Sequence, residues 1–215
     1  MIKRWKEKYS LVPLTVKVST AYAVCSILQK CLSFITLPLF TRLLTTEQYG
    51  QYTIYSSWSG ILIIFLTLNL AYGSFQTAMV KFEGRRDEYI TSIQGISVVL
   101  CCVFLAVYLP LRNVWNRLFE LPTPFVLLMV AEIIFSTATQ LWMEKNRFEF
   151  KYKSVVVVTL LTSILSPVIA FILVSLVSEK GYARIFGYAI VNILIGFILF
   201  IYNSQKGKHF YNKEF

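Results

Sequence analysis

Lys30 and Glu132 are the two ionisable side chains that stand alone, each inside a stretch of more than twenty residues with no other charge. An isolated ammonium at the centre of an apolar helix costs about 2.5–3.5 kcal/mol on insertion scales, so such groups face a cavity or another helix. Around Lys30, the residues Ser19, Tyr22, Ser26, Gln29, Ser33 and Thr36 recur three and four apart. That spacing gathers them into one polar stripe on a helix. Lys30 falls beside the stripe, within a sector of roughly 120° at 3.6 residues per turn. A wet lumen or an anionic partner would offset its cost. Two readings follow and both stay open. In one, Lys30 and Glu132 pair within a helical bundle. In the other, Lys30 faces a lumen and meets an anionic substrate, while Glu132 titrates or pairs elsewhere.

A second pattern is aromatic. Tyr49, Tyr52, Tyr55 and Trp58 recur every three residues, as an interfacial belt would or as a platform for stacking sugar rings. Asn69, Gln76 and Gln140 read as hydrogen-bonding partners between helices.

Catalytic signatures are missing from the sequence. The single histidine, His209, has no partner triad, and there is no glycine-rich phosphate loop. Glu83, Asp87 and Glu88 lie among Lys81, Arg85 and Arg86, as in a solvated loop. Cys25, Cys31, Cys101 and Cys102 fall in apolar stretches without metal-ligand spacing and read as small packing residues. The expectation is a protein that is not an enzyme, with no cofactor and no metal.

The elements that must position these residues are membrane spans. Of 215 residues, 56% are hydrophobic and 15% charged, against about 25% charged in a typical soluble domain. The charges cluster, and the gaps between them are of spanning length. Six spans are expected, at residues 18–40, 51–73, 89–111, 121–143, 154–178 and 185–205. The fold class is therefore all-α: a polytopic bundle of six transmembrane helices over 18–205. Residues 1–17 precede it as an interfacial amphipathic segment, with Ile2, Trp5 and Tyr9 on one helical face. Residues 206–215 follow as a tail.

Orientation follows from Lys and Arg. Fifteen lie in the N-terminal segment, the second and fourth connections and the tail; five lie in the alternate connections (Arg42, Arg112, Arg117, Lys180 and Arg184). Positive charge favours the cytoplasmic side, so both termini are expected there. The same rule accounts for the net charge of +10 without nucleic acid, which is not expected as a partner. Local signals agree with the borders: Thr45-Thr46-Glu47-Gln48 can form a capping box, Pro122 and Pro124 suit a helix start, and Pro38 and Pro167 should bend their spans.

The stretch 32–52 carries a proline near the end of the first span, then Thr41-Arg42-Leu43-Leu44, a short acidic turn, and Tyr49-Gly50. With Ala71-Tyr72-Gly73-Ser74-Phe75-Gln76-Thr77-Ala78, it resembles the polysaccharide biosynthesis flippases. These are the O-antigen and capsule repeat-unit exporters of the multidrug/oligosaccharidyl-lipid/polysaccharide superfamily. The resemblance implies a multi-pass protein of the bacterial inner membrane that moves undecaprenyl-diphosphate-linked oligosaccharide across the bilayer. It implies two six-helix lobes around a central cationic cavity lined in part by the first two helices. This sequence matches the N-terminal lobe and stops after six spans, as a truncated product, a fragment, or a half that pairs with a second lobe or a second copy. On that basis Lys30, with Arg42, would attract the diphosphate. Ser26, Gln29 and Ser33 would solvate the head group, and Tyr52 and Glu132 complete the candidate set. The rivals are a cation-coupled drug exporter of the same superfamily, a non-transporting scaffold of a polysaccharide assembly complex, and a membrane glycosyltransferase, which would need a larger outer loop with acids.

Overall fold

The structure, a computed structural model, describes residues 13–71, 73 and 75–207. The expected surface helix of Ile2, Trp5 and Tyr9, the tail from 208 with His209, and Tyr72 and Ser74 of the second motif lie outside the described residues. Among those described, every regular element is helical: α1 (Leu14–Leu43), α2 (Thr46–Thr67), α3 (Phe75–Lys81), α4 (Arg86–Tyr108), α5 (Arg112–Phe119), α6 (Thr123–Phe148), α7 (Tyr152–Leu176) and α8 (Lys180–Gly207).

Five of these helices, α1, α4, α6, α7 and α8, are long and apolar enough to cross a membrane. Helix α2 has 22 residues, about 33 Å at 1.5 Å per residue, but its first twelve carry Glu47, Gln48, Gln51, Ser56 and Ser57. It also ends earlier than the sequence suggests. Leu68 and Asn69 both take positive φ, which breaks the helix inside an uncharged stretch, and Asn69 sits in an exposed turn rather than between helices. Short helices α3 and α5 occupy stretches that read as connections between spans.

The local signals work as chemistry requires. The Thr45 hydroxyl accepts from the Gln48 amide N–H at 3.2 Å, and Gln48 Oε1 accepts from the Thr45 N–H at 3.1 Å. Pro122 caps α6 and Pro124 lies in its first turn, where a missing N–H leaves no bond unmade.

Helix α8 is the hub. Gly181, Gly187, Gly196 and Gly207 along it meet α2, α7, α6 and α4 in turn, at Gln48 and Gln51, Ala170, Phe135, and Thr91 with Asp87. A Cβ at any of the four would strike its neighbour. Small residues let membrane helices approach this closely, and packing then holds them. The largest core cluster joins α2, α4, α5, α6 and α8 through Tyr55, Cys101, Tyr108, Phe119, Met129 and Ile185. Helix α1 stands apart, leaning chiefly on α7. Its apolar side chains Ile27, Phe34, Ile35 and Leu37 are exposed.

The two ends of the bundle differ. At one end α4 and α6 are tied by ions, Lys145 to Asp87 and Arg86 to Glu149 at 3.9 Å, and Arg86 Nε also donates to the Met79 carbonyl of α3 at 2.8 Å. Beside these, Thr91, Gln94, Asn203 and Ser204 form a buried hydrogen-bond network between α4 and α8. At the other end, the last turn of α1, the start of α2 and the start of α8 converge on Arg184.

Candidate functional site

The polar stripe of α1 divides. Gln29, Ser33 and Thr36 turn toward α7 and α8, where they line a cavity of about 280 Å³ with Thr162, Ser163, Ser166, Tyr188 and Asn192. Gln29 Nε2 donates to Ser163 Oγ at 2.9 Å, and the Ser33 hydroxyl donates to the Gln29 carbonyl at 3.0 Å. A second cavity of about 210 Å³ continues toward the ion-paired end between Gln140, Glu144, Arg147, Thr162 and Asn192. Thr162 and Asn192 border both, so one cleft walled by hydroxyls and amides runs along α7 and α8. Hydroxyl and amide groups inside helices of membrane-spanning length are costly unless they meet water, one another or a polar ligand.

Ser26 and Lys30 lie on the neighbouring strip of α1, with Ile27, Cys31, Phe34 and Ile35, open to the surroundings of the bundle. One residue step turns a helix by about 100°, which carries Lys30 off the cleft wall that Gln29 occupies. Among the described residues Lys30 forms no ion pair, and the Lys30–Glu132 pair is not made. Glu132 instead accepts from the Tyr55 hydroxyl at 2.7 Å and from Asn192 Nδ2 at 2.7 Å. Its carboxylate thus stands one hydrogen bond behind the cleft, with two neutral donors for partners.

The aromatic row of α2 faces inward because α2 is packed against α4, α6 and α8. It is not a lipid-facing belt. Trp58 lies 4.7 Å from Phe119, Tyr55 binds Glu132, and Tyr49 and Tyr52 cover Arg184. Arg184, which reads from sequence as a loop cation, belongs to α8 and is only 5% exposed. Its guanidinium carbon is 3.8 Å from the Tyr52 ring centre, 4.4 Å from Phe40 and 4.6 Å from Tyr49. Each desolvated contact of this kind contributes roughly 2 kcal/mol. Arg42 is exposed in the last turn of α1. The structure therefore brings Gln29 and Ser33 together, sets Ser26 and Lys30 beside them, and places Tyr52, Arg42 and Glu132 apart.

Among the described residues no three His, Cys, Asp or Glu side chains gather as metal ligands, and the four cysteines are unbridged. Cys25 and Cys101 are buried, whereas Cys31 and Cys102 are exposed.

Sequence reasoning missed Asn192 and Arg184. Asn192 carried the same signal as Gln140, a lone amide in an apolar stretch. Arg184 had no local signal, since its partners lie more than a hundred residues earlier.

The sequence pattern of the polysaccharide biosynthesis protein family matches residues 16–215. The chain belongs to this family. No curated protein and no solved structure matches it. Membership in the polysaccharide biosynthesis family and five membrane-length helices make the chain a multi-pass membrane protein.

Proposed function

We propose that this chain forms one lobe of a transporter that moves undecaprenyl-diphosphate-linked oligosaccharide between leaflets of the bacterial inner membrane, for capsule, O-antigen or exopolysaccharide synthesis. The observation that carries the reading is the cleft of Gln29, Ser33, Thr36, Ser163 and Asn192 within membrane-length helices. An oligosaccharide is a dense array of hydroxyls, and a wall of hydroxyl and amide groups replaces its water without fixing one sugar.

In this reading α2 is a sixth crossing. Its row Tyr49, Tyr52, Tyr55 and Trp58 packs inward, while Glu47, Ser56 and Ser57 are exposed. The ion-paired end, with Lys81, Arg85, Arg86, Lys145 and Lys151, lies in the cytoplasm, and both termini lie with it. Lys30 and Arg42 attract the diphosphate, and Ser26, Gln29 and Ser33 solvate the head group. The open strip of α1 around Lys30 faces a second six-helix lobe, or a second copy, across the substrate path. Rocking of the lobes then exposes the path to each side in turn. Neither this route nor its residues calls for catalysis or a cofactor.

The experiment is transbilayer movement of a fluorescent undecaprenyl-diphosphate oligosaccharide in proteoliposomes, read by quenching of the outer leaflet. The chain is tested alone and together with the second lobe of a full-length family member. Movement in either case supports the reading. A leaflet distribution matching protein-free vesicles in both contradicts it.

A further inference from the structure

Arg184 is a buried cation with unspent hydrogen-bonding capacity. It is 5% exposed, and no carboxylate lies within ion-pair distance among the described residues. Its Nε and Nη1 are buried with no hydrogen-bond partner. The faces of Phe40, Tyr49 and Tyr52 attract the charge, but a ring face does not satisfy an N–H as an oxygen does. Of the other charged residues at this end, Arg42, Glu47 and Glu179 are exposed, and Lys180 donates to the Leu43 carbonyl at 3.4 Å. A guanidinium with open donors at Nε and Nη1 suits an oxyanion such as phosphate, whose oxygens accept charge-assisted hydrogen bonds.

The position of the cage matters as much as its charge. Tyr52 lies 5.5 Å from Tyr188, and Tyr188 lines the polar cleft. Tyr52 therefore links the guanidinium to Tyr188 on the cavity wall. Phe40 comes from the last turns of α1, Tyr49 and Tyr52 from the first turns of α2, and Arg184 from α8. One side chain thus holds the ends of three helices together. It does so beside α1, which otherwise rests chiefly on α7.

We propose that Arg184, Phe40, Tyr49 and Tyr52 form an anion-operated latch at this end of the cleft: a phosphate or diphosphate arriving past Tyr188 takes the free donors of the guanidinium, and the exchange releases α1 and α2 from α8. The proposal rests on the transport reading only in naming the diphosphate as the working anion. A ligand opens such a contact to the extent that it binds the open form better than the closed one.

The test uses the full chain in zwitterionic vesicles, with its four cysteines replaced and Ala183→Cys added as reporter. Ala183 is 7% exposed and packs with Phe40 and Leu44. Closed, the reporter reacts slowly with a water-soluble maleimide. Inorganic pyrophosphate should speed labelling by at least about fivefold, the lower range of allosteric coupling, and Arg184→Gln should abolish that response. Tyr52→Leu, which keeps the charge, should label quickly without pyrophosphate and keeps the test decisive if Arg184→Gln does not fold. Acceleration by pyrophosphate assigns a diphosphate that arrives through water, and acceleration only by phosphatidic acid in the vesicle assigns a lipid phosphate; both support the latch. No acceleration by either anion overturns it, as does an undiminished response in Arg184→Gln. A chain that responds here but moves no lipid-linked oligosaccharide keeps the latch and loses the transport reading.

Discussion

The Tyr55 hydroxyl donates a 2.7 Å hydrogen bond to Glu132 Oε2, joining α2 to α6 in the interior of the bundle. Asn192 holds the other carboxylate oxygen from α8, so one acid ties three helices. Tyr55 is only 4% exposed, and a donor left unpaired there costs about 1–3 kcal/mol. Glu132→Leu orphans both donors and should lower the unfolding temperature in detergent by several degrees. Glu132→Gln keeps an acceptor and should stay near the parent. Equal stability of the two variants would show that these bonds hold nothing together.

Cys31 reports on the strip that carries Lys30. It is exposed beside Lys30, whereas Cys102 is exposed on α4 and Cys25 and Cys101 are buried. With a second lobe present, a water-soluble maleimide should label Cys31 and leave Cys102, exposed on the other side of the bundle from the substrate path, unmodified if acyl chains cover it. Should Cys31 resist labelling as Cys102 does, the strip borders acyl chains and Lys30 meets no mobile anion.

The hub role of α8 has its own test. Gly187→Ala and Gly196→Ala drive a methyl into the backbones of α7 and α6, and overpacking of this kind costs about 1–3 kcal/mol. Gly60→Ala, in the interior of α2, meets nothing within 4 Å and should stabilise by about 0.5–1 kcal/mol. Thermal unfolding of the three variants separates the effects; a loss at position 60 or a gain at 187 would contradict the packing described.

The helical class, the capping box at Thr45 and the proline start of α6 were legible because each is written in a local pattern. The break after Thr67 was not. Nothing between residues 68 and 80 carries charge, and the left-handed turn at Leu68 and Asn69 uses residues that hydropathy does not distinguish from a span. The stripe of α1 was legible as a stripe. Its division between Gln29 and Lys30 depends on where α7 lies, which periodicity within one helix does not encode. The same limit hid Arg184, whose environment is made by residues 40, 49 and 52. The aromatic row showed its spacing but not its direction, since the helices it packs against come later in the chain.

The central claim is that lipid-linked oligosaccharide travels along the cleft between α1, α7 and α8. Photo-crosslinking tests it most directly, with a benzophenone side chain placed at Thr162, which borders both cavities, and separately at Val157, which is 62% exposed on the outside of α7. The account predicts that undecaprenyl-diphosphate oligosaccharide is captured from position 162, and that excess unlabelled lipid-linked oligosaccharide competes the adduct away while position 157 yields only bulk phospholipid. Capture at 157 equal to or greater than at 162 would contradict it.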